Sequence, residues 1–132
     1  MLVIDLDGNK SDWKIKGREV VLDHRHTSFL HKSARTILKS RFPTMQILEE
    51  VPIKVRKKQT LYLDFYIPLI KLAIEVHGEQ HFSINSKYHN SRHDFIRQIQ
   101  RDNDKMEWCE INGIKLIVLA YNNQKEWEEL LK

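Results

Sequence analysis

A carboxylate inside an otherwise apolar strand is the feature that most narrows what this chain can fold into. Residues 61–82 read LYLDFYIPLIKLAIEVHGEQHF. Leu61, Leu63, Phe65 and Ile67 alternate as in a half-buried strand, and LIKLAIEV is a nearly continuous apolar run, as in a strand at a sheet centre. Pro68 has no N–H and biases Ile67 toward extended geometry, so it marks the break between two strands. Asp64 falls in the first strand and Glu75 near the end of the second, with His77, Gln80 and His81 just beyond. A buried carboxylate left alone is costly. Glu75 therefore calls for a cation: Lys71 or an arginine in a structural pair, or a metal ion. Ten residues separate the two acids, enough for one strand to turn and the next to return alongside.

The flanking sequence supplies a sheet and its helices. Leu2, Ile4 and Leu6 alternate with polar residues, DGN makes a turn, and Trp13, Ile15 and Val20–Leu22 continue an N-terminal β-hairpin over residues 1–23. The DLDGN run starts like a calcium loop, but its twelfth position is Lys16 where a glutamate is required, so a plain turn is the expectation. Thr27 or Ser28 caps a first helix that Pro43 ends, with Phe29 or Leu30, Ala34, Ile37 or Leu38 and Phe42 on the apolar side and Lys32, Arg35, Lys39 and Arg41 mainly outward. Its neighbours His24, His26 and His31 lack the cysteines and acids of a zinc site, and a DNA-facing or solvated loop is expected there.

Residues 45–55 form a strand, with Pro52 at an edge or bulge. Arg56, Lys57 and Lys58 make a basic hairpin tip able to reach a phosphate backbone. After a polar loop carrying Lys87 and Arg92, a second helix runs over residues 91–111 with Phe95, Ile99, Met106 and Cys109 inward. Asp102 interrupts that face. Asn112-Gly113 stops the helix, residues 114–119 form a buried strand, and residues 124–131 close the chain as a short helix. The expected class is α/β: one domain, with a mixed central sheet flanked by helices in the order α-β-β-β-α-β.

At 132 residues one domain is the simplest division. No stretch is long and apolar enough to span a membrane, and the acids of LVIDLDG do not suit a signal peptide, so a cytoplasmic protein with no membrane partner is expected. A lone cysteine, Cys109, leaves no internal disulfide. Residues 1–63 carry 13 Lys/Arg against 7 Asp/Glu, and residues 64–132 carry 9 against 11. A basic half before an acidic, histidine-bearing half suits a polyanion held beside a metal, and equally an ordinary solvated surface.

Two carboxylates from adjacent strands can hold a hard divalent cation for phosphodiester hydrolysis. Either His77 or His81 can move the proton of the attacking water, and Gln80 can orient water or substrate.

At this point the runs DFYIPLIKLAIEVHGEQHF, QRDNDK and EINGIKLIVLAY resemble the PD-(D/E)XK nuclease superfamily. Within it, they are most similar to small endonuclease-like domains related to the very-short-patch mismatch repair endonucleases and to phage-encoded EDxHD homing endonucleases. The resemblance covers about residues 28–131. It implies a restriction-endonuclease-like core and a Mg2+-dependent endonuclease, with Mn2+ able to substitute. Asp64 and Glu75 become metal ligands, His77, Gln80 and His81 join them in catalysis, and Asp102 and Lys105 support the site. His77 stands where the superfamily usually has a lysine. The first helix lacks the glutamate that many relatives direct at the metal, leaving His31 near that place and Glu49 or Glu50 as substitutes.

The substrate expected is double-stranded DNA, nicked or cut through, with Arg35, Lys39, Arg56, Lys57, Lys58, Lys87 and Arg92 on its backbone. A double-strand cut calls for a homodimer, sequential nicks or a separate targeting protein. An inactive nucleic-acid-binding relative and a ribonuclease are the other readings.

Overall fold

Strand-forming alternation and two amphipathic helices build one layered α/β unit in the computed structural model, which describes residues 1–20, 29–81 and 92–131. The elements in order are β1 (Leu2–Ile4), β2 (Lys10–Asp12), β3 (Arg18–Glu19), α1 (Phe29–Arg41), β4 (Leu48–Arg56), β5 (Gln59–Ile67), β6 (Leu72–His77), α2 (Arg92–Ile111), β7 (Lys115–Ala120) and α3 (Trp127–Leu130). β1 and β2 pair with each other as a small antiparallel hairpin. The main sheet has the order β3-β4-β5-β6-β7, antiparallel except between β6 and β7. A parallel neighbour needs a long crossover, and the 20 residues of α2 supply it. The mixed sheet flanked by helices is as expected. The N-terminal segment is not purely an appendage, because its β3 joins the main sheet.

β6 is buried along all six residues, as its apolar run requires. One side of the sheet packs Val51, Ile53 and Leu63 against Trp108 and Cys109 of α2, with Trp13 from the N-terminal segment. The other packs Phe65, Ile67, Ile74 and Val76 against Ala34 and Leu38 of α1, with Trp127 of α3. Each such aliphatic side chain, taken fully out of water, contributes about 1.5–3 kcal/mol.

Residues two apart in a strand should share a side, yet on β5 Leu63 joins the α2 core and Phe65 the α1 core. The alternation therefore slips at Asp64. On β4, Glu49 faces Phe65 and Val51 faces Leu63, so Glu50 lies across from Asp64. Glu50 has φ 52°, the left-handed region that a side chain adopts only at a cost. The sheet changes its pattern in that one row, and the row holds carboxylates.

Pro68–Ile70 forms a 3-10 turn between β5 and β6, as Pro68 suggests. Pro52 lies beyond the reach of the two-residue β3, where β4 is the sheet edge, and its carbonyl accepts from the Trp13 indole at 3.0 Å. The inward side of α2 differs from expectation. Trp108 and Cys109 are buried, whereas Ile99 and Met106 are 38% and 50% exposed. The helix face against the sheet is instead occupied, halfway along, by Asp102 and Lys105. No described helix is long and apolar enough to cross a membrane.

Candidate metal centre

The β5–β6 ladder runs Ile67 to Leu72, Tyr66 to Ala73 and Phe65 to Ile74. One step further out stand Asp64 and Glu75, and there side chains take over from the backbone ladder. The Asp64 N–H donates to Glu75 Oε2 at 2.6 Å, and the Val76 N–H donates to Asp64 Oδ2 at 2.8 Å. Each carboxylate thus reaches across to the other strand, which fixes the two acids side by side. Lys105 of α2 donates from Nζ to Glu75 Oε1 at 2.7 Å. His31, in the first turn of α1, brings Nε2 to 3.6 Å from Asp64 Oδ1.

Two adjacent carboxylates share one region of low dielectric, and their acidities diverge. Burial, then the charge of Asp64, pushes Glu75 up to about 7 despite Lys105. Burial also works against ionisation of Asp64, but the His31 contact and the Val76 N–H outweigh it and hold its carboxyl below the usual range. His31 is raised in turn, chiefly by its hydrogen bond to Asp64.

Beside this pair lies a second cluster. Glu75 and His77 are two apart on β6, so both face α2. His77 is stacked flat on His81, with centroids 4.0 Å apart and planes within 4°. His81, in the 3-10 turn Glu79–His81, places Nδ1 2.8 Å from Asp102 Oδ2, and His77 Nε2 is 3.9 Å from Asp102 Oδ1. Gln98, one helical turn before Asp102, donates to its Oδ1 at 3.0 Å. One ligand atom each from His77, His81 and Asp102 lies within 4.8 Å of the others, an arrangement able to coordinate a metal ion. Burial, then the neighbouring His81, lowers His77 to about 4, so its ring is neutral near pH 7. Burial opposes the charge on Asp102 too, yet His81 and the adjoining imidazole keep its pKa below the usual range. Asp102 is therefore an ionised acceptor, and the proton of the His81–Asp102 contact belongs on Nδ1 of His81.

Asp64, Glu75, Lys105 and His31 thus come together in one cluster, and His77, His81 and Asp102 in a second beside it. Gln80 sits in the same turn, and its side chain lies outside the described set. Glu49 does not join them. It is 2% exposed, faces α1, and forms an ion pair with Arg35, whose Nη2 is 3.2 Å from Oε2. Arg35 is accordingly buried at 3% exposure and not on the outward side of α1, because a partner fourteen residues away draws it in. Glu50 reaches the lip of the site, exposed, and pairs with Arg18 at 2.9 Å.

Lys39 is half-buried, Lys57, Lys58 and Arg92 are exposed, and Arg56 pairs with Asp104 at 2.8 Å. His24, His26, the helix cap at Thr27 or Ser28, and Lys87 lie outside the described residues. Gln98 was missed, although its i,i+4 spacing to Asp102 on a helix was a usable signal. Cys109, under the sheet, has its thiol pushed up to about 12 by burial and is no nucleophile.

Similarity to known proteins is partial. Over 61 residues, 46% of this chain, it is 34% identical to Uncharacterized protein 033L of Invertebrate iridescent virus 3, and to the same degree to Uncharacterized protein 307L of Invertebrate iridescent virus 6. It is 41% identical over 64 residues to Uncharacterized protein 094L of Frog virus 3 (isolate Goorha). The matched stretch spans only 31%, 31% and 41% of those three proteins. No family model and no solved structure matches the chain.

Proposed function

We propose that this domain is a metal-dependent endonuclease of the PD-(D/E)XK type, hydrolysing DNA phosphodiester bonds. The observation that carries the reading is the cross-strand seating of Asp64 and Glu75, each holding the other strand's backbone N–H. A fold that needed only hydrogen bonds there would complete the ladder with peptide groups. Two acids in their place crowd carboxylates together beside Lys105 and His31.

The donors fit an ion. A carboxylate oxygen accepts twice, so Asp64 and Glu75 keep acceptor capacity toward a hard cation such as Mg2+. His77, His81 and Asp102 are also able to coordinate a borderline first-row ion, but with the ion at Asp64 and Glu75, where Mn2+ can replace Mg2+, they serve proton transfer instead. When bound, the ion neutralises charge at the phosphate and activates water for attack.

The chain's own residues do the rest. Lys105 supplies the ammonium that the superfamily places two residues after the glutamate, where this chain has His77. Its position against Glu75 lets it offset charge building on the phosphate. His81, oriented through Nδ1 by Asp102, presents Nε2 as the general base, a carboxylate–imidazole arrangement that fixes the tautomer. His77, neutral and stacked beneath it, holds that ring in place. His31 keeps Asp64 ionised.

Supercoiled plasmid incubated with the protein and Mg2+ or Mn2+ tests the proposal. Nicked circles are expected, and none from Asp64→Ala. Equal DNA binding by wild type and D64A, with no cutting by either, makes the protein a binding relative. Cleavage of RNA in preference to DNA makes it a ribonuclease.

A further inference from the structure

The β4–β5 hairpin and α2 enclose two adjoining cavities. One, about 530 Å3, is lined by Arg56, Gln59, Arg97, Gln100, Arg101 and Asp104. The other, about 490 Å3, is lined by Tyr62, Asp64, Arg101 and Lys105, with Glu50 at its lip. Arg101 lines both, so they form one groove that reaches Asp64. Along its helical wall the cations Arg97, Arg101 and Lys105 recur every fourth residue, a pitch of about 6 Å. In the first cavity Asp104 is matched by Arg56, leaving Arg97 and Arg101 as excess positive charge. Arg101 also donates to Gln98 at 3.1 Å, and Gln98 to Asp102, which ties the groove to the histidine cluster. The other wall offers Tyr62, an aromatic ring 55% exposed beside Asp64.

A row of cations with one exposed aromatic is the recognition chemistry of an unpaired nucleic-acid strand. Cations follow the phosphates, and a ring stacks on a base that is not engaged in a duplex. We infer that this groove grips a single strand, with phosphates on Arg97 and Arg101 and an unpaired base on Tyr62, and leads it to Asp64 and Glu75. The inference rests on the nuclease reading only for what happens at the groove's end; strand binding stands or falls separately.

Fluorescence anisotropy of a labelled oligonucleotide in EDTA, single-stranded and fully paired, separates the two. Wild type is expected to bind the single strand more tightly. R97Q/R101Q should lose about tenfold or more in affinity, with the slope of log K against log salt falling by about 1.4 for the two lost contacts. The single variant R97Q, at an exposed position, should show about half that slope change. Y62A should lose about tenfold on the single strand and little on the duplex. K115Q, at an exposed position on the edge strand β7, is the comparator and should change less than any of these. If R97Q/R101Q overlays the wild type in affinity and slope, the groove is overturned. If only Y62A does, base stacking is overturned and a phosphate track remains. Loss of binding in these variants from a wild type that never cuts DNA overturns the nuclease reading and leaves the groove. Plasmid cutting that is indifferent to them does the reverse.

Discussion

The Asp5 turn and the Asp64–Glu75 pair both use carboxylates to satisfy backbone N–H groups, and they do so at opposite extremes of range. Asp5 accepts from the N–H groups of Asp7 and Asn9 at 2.9 Å, with the Asn9 amide at 3.3 Å, all within its own turn. Those bonds, the Asn9 N–H foremost, hold its carboxyl below the ordinary range. Nothing about it is frustrated. Asp64 and Glu75 take their N–H partners from each other's strand, and the closeness that results drives Glu75 up to about 7. The first arrangement is complete within its own turn; the second crowds two acids together against Lys105 and His31. The DGN turn and the buried acids therefore differ in what surrounds them more than in residue type.

Substitution separates the two sites most sharply. Asp64→Ala should reduce plasmid nicking at least about 100-fold, whereas Asp5→Asn should cut as wild type does.

The next difference is in pH. The folded pKa of Glu75 lies above its unfolded 4.5, so its stabilising contribution is complete below pH 4.5 and is lost as pH rises through about 7. Between those limits the change is on the order of 3 kcal/mol. His77 works in the opposite direction, so the difference between wild type and Glu75→Gln is the quantity to follow. Denaturant melts at pH 4.5 and pH 8 should show E75Q gaining on wild type at the higher pH; parallel curves would mean that Glu75 carries no such strain.

A smaller effect, about 2.7 kcal/mol, is expected from saturating metal at a hundred times its Kd. Thermal melts with Mn2+ should show it in wild type and in Asp5→Asn, and lose most of it in Asp64→Ala. Asp102→Asn keeps the shape of the His81 contact while removing the charge that orients the ring. A loss of about tenfold in cleavage is expected. Least of all, Asp5→Ala should lower the melting temperature slightly and leave cleavage alone.

How much of this was legible in the chain follows from the range of each interaction. The apolar run of β6 and the break at Pro68 are local patterns, and they read correctly; the run of β7 gave the strand but not its exposure, because β7 is a sheet edge with only Leu119 buried. That Asp64 and Glu75 lie on adjacent strands was legible too, whereas the register and face of their side chains were not, because parity alone does not settle them. Arg35 read as outward since helical periodicity carries no notice of Glu49 on a later strand. Ile99 and Met106 read as inward since the pattern cannot show that α2 turns Asp102 and Lys105 to the sheet. The His77–His81 stack needs the turn after β6 to fold back, and no spacing rule announces that. Arg97, Arg101 and Lys105 were visible at i, i+4 and i+8, yet such a stripe on a helix reads by default as solvated surface.

The central claim is that Asp64 and Glu75 are paired in order to hold one ion. Anomalous diffraction from crystals grown with Mn2+ tests it directly. A Mn2+ peak is expected within coordination distance of both carboxylates. Carboxylates still engaged only with Lys105 and the backbone, with manganese elsewhere or absent, would contradict it.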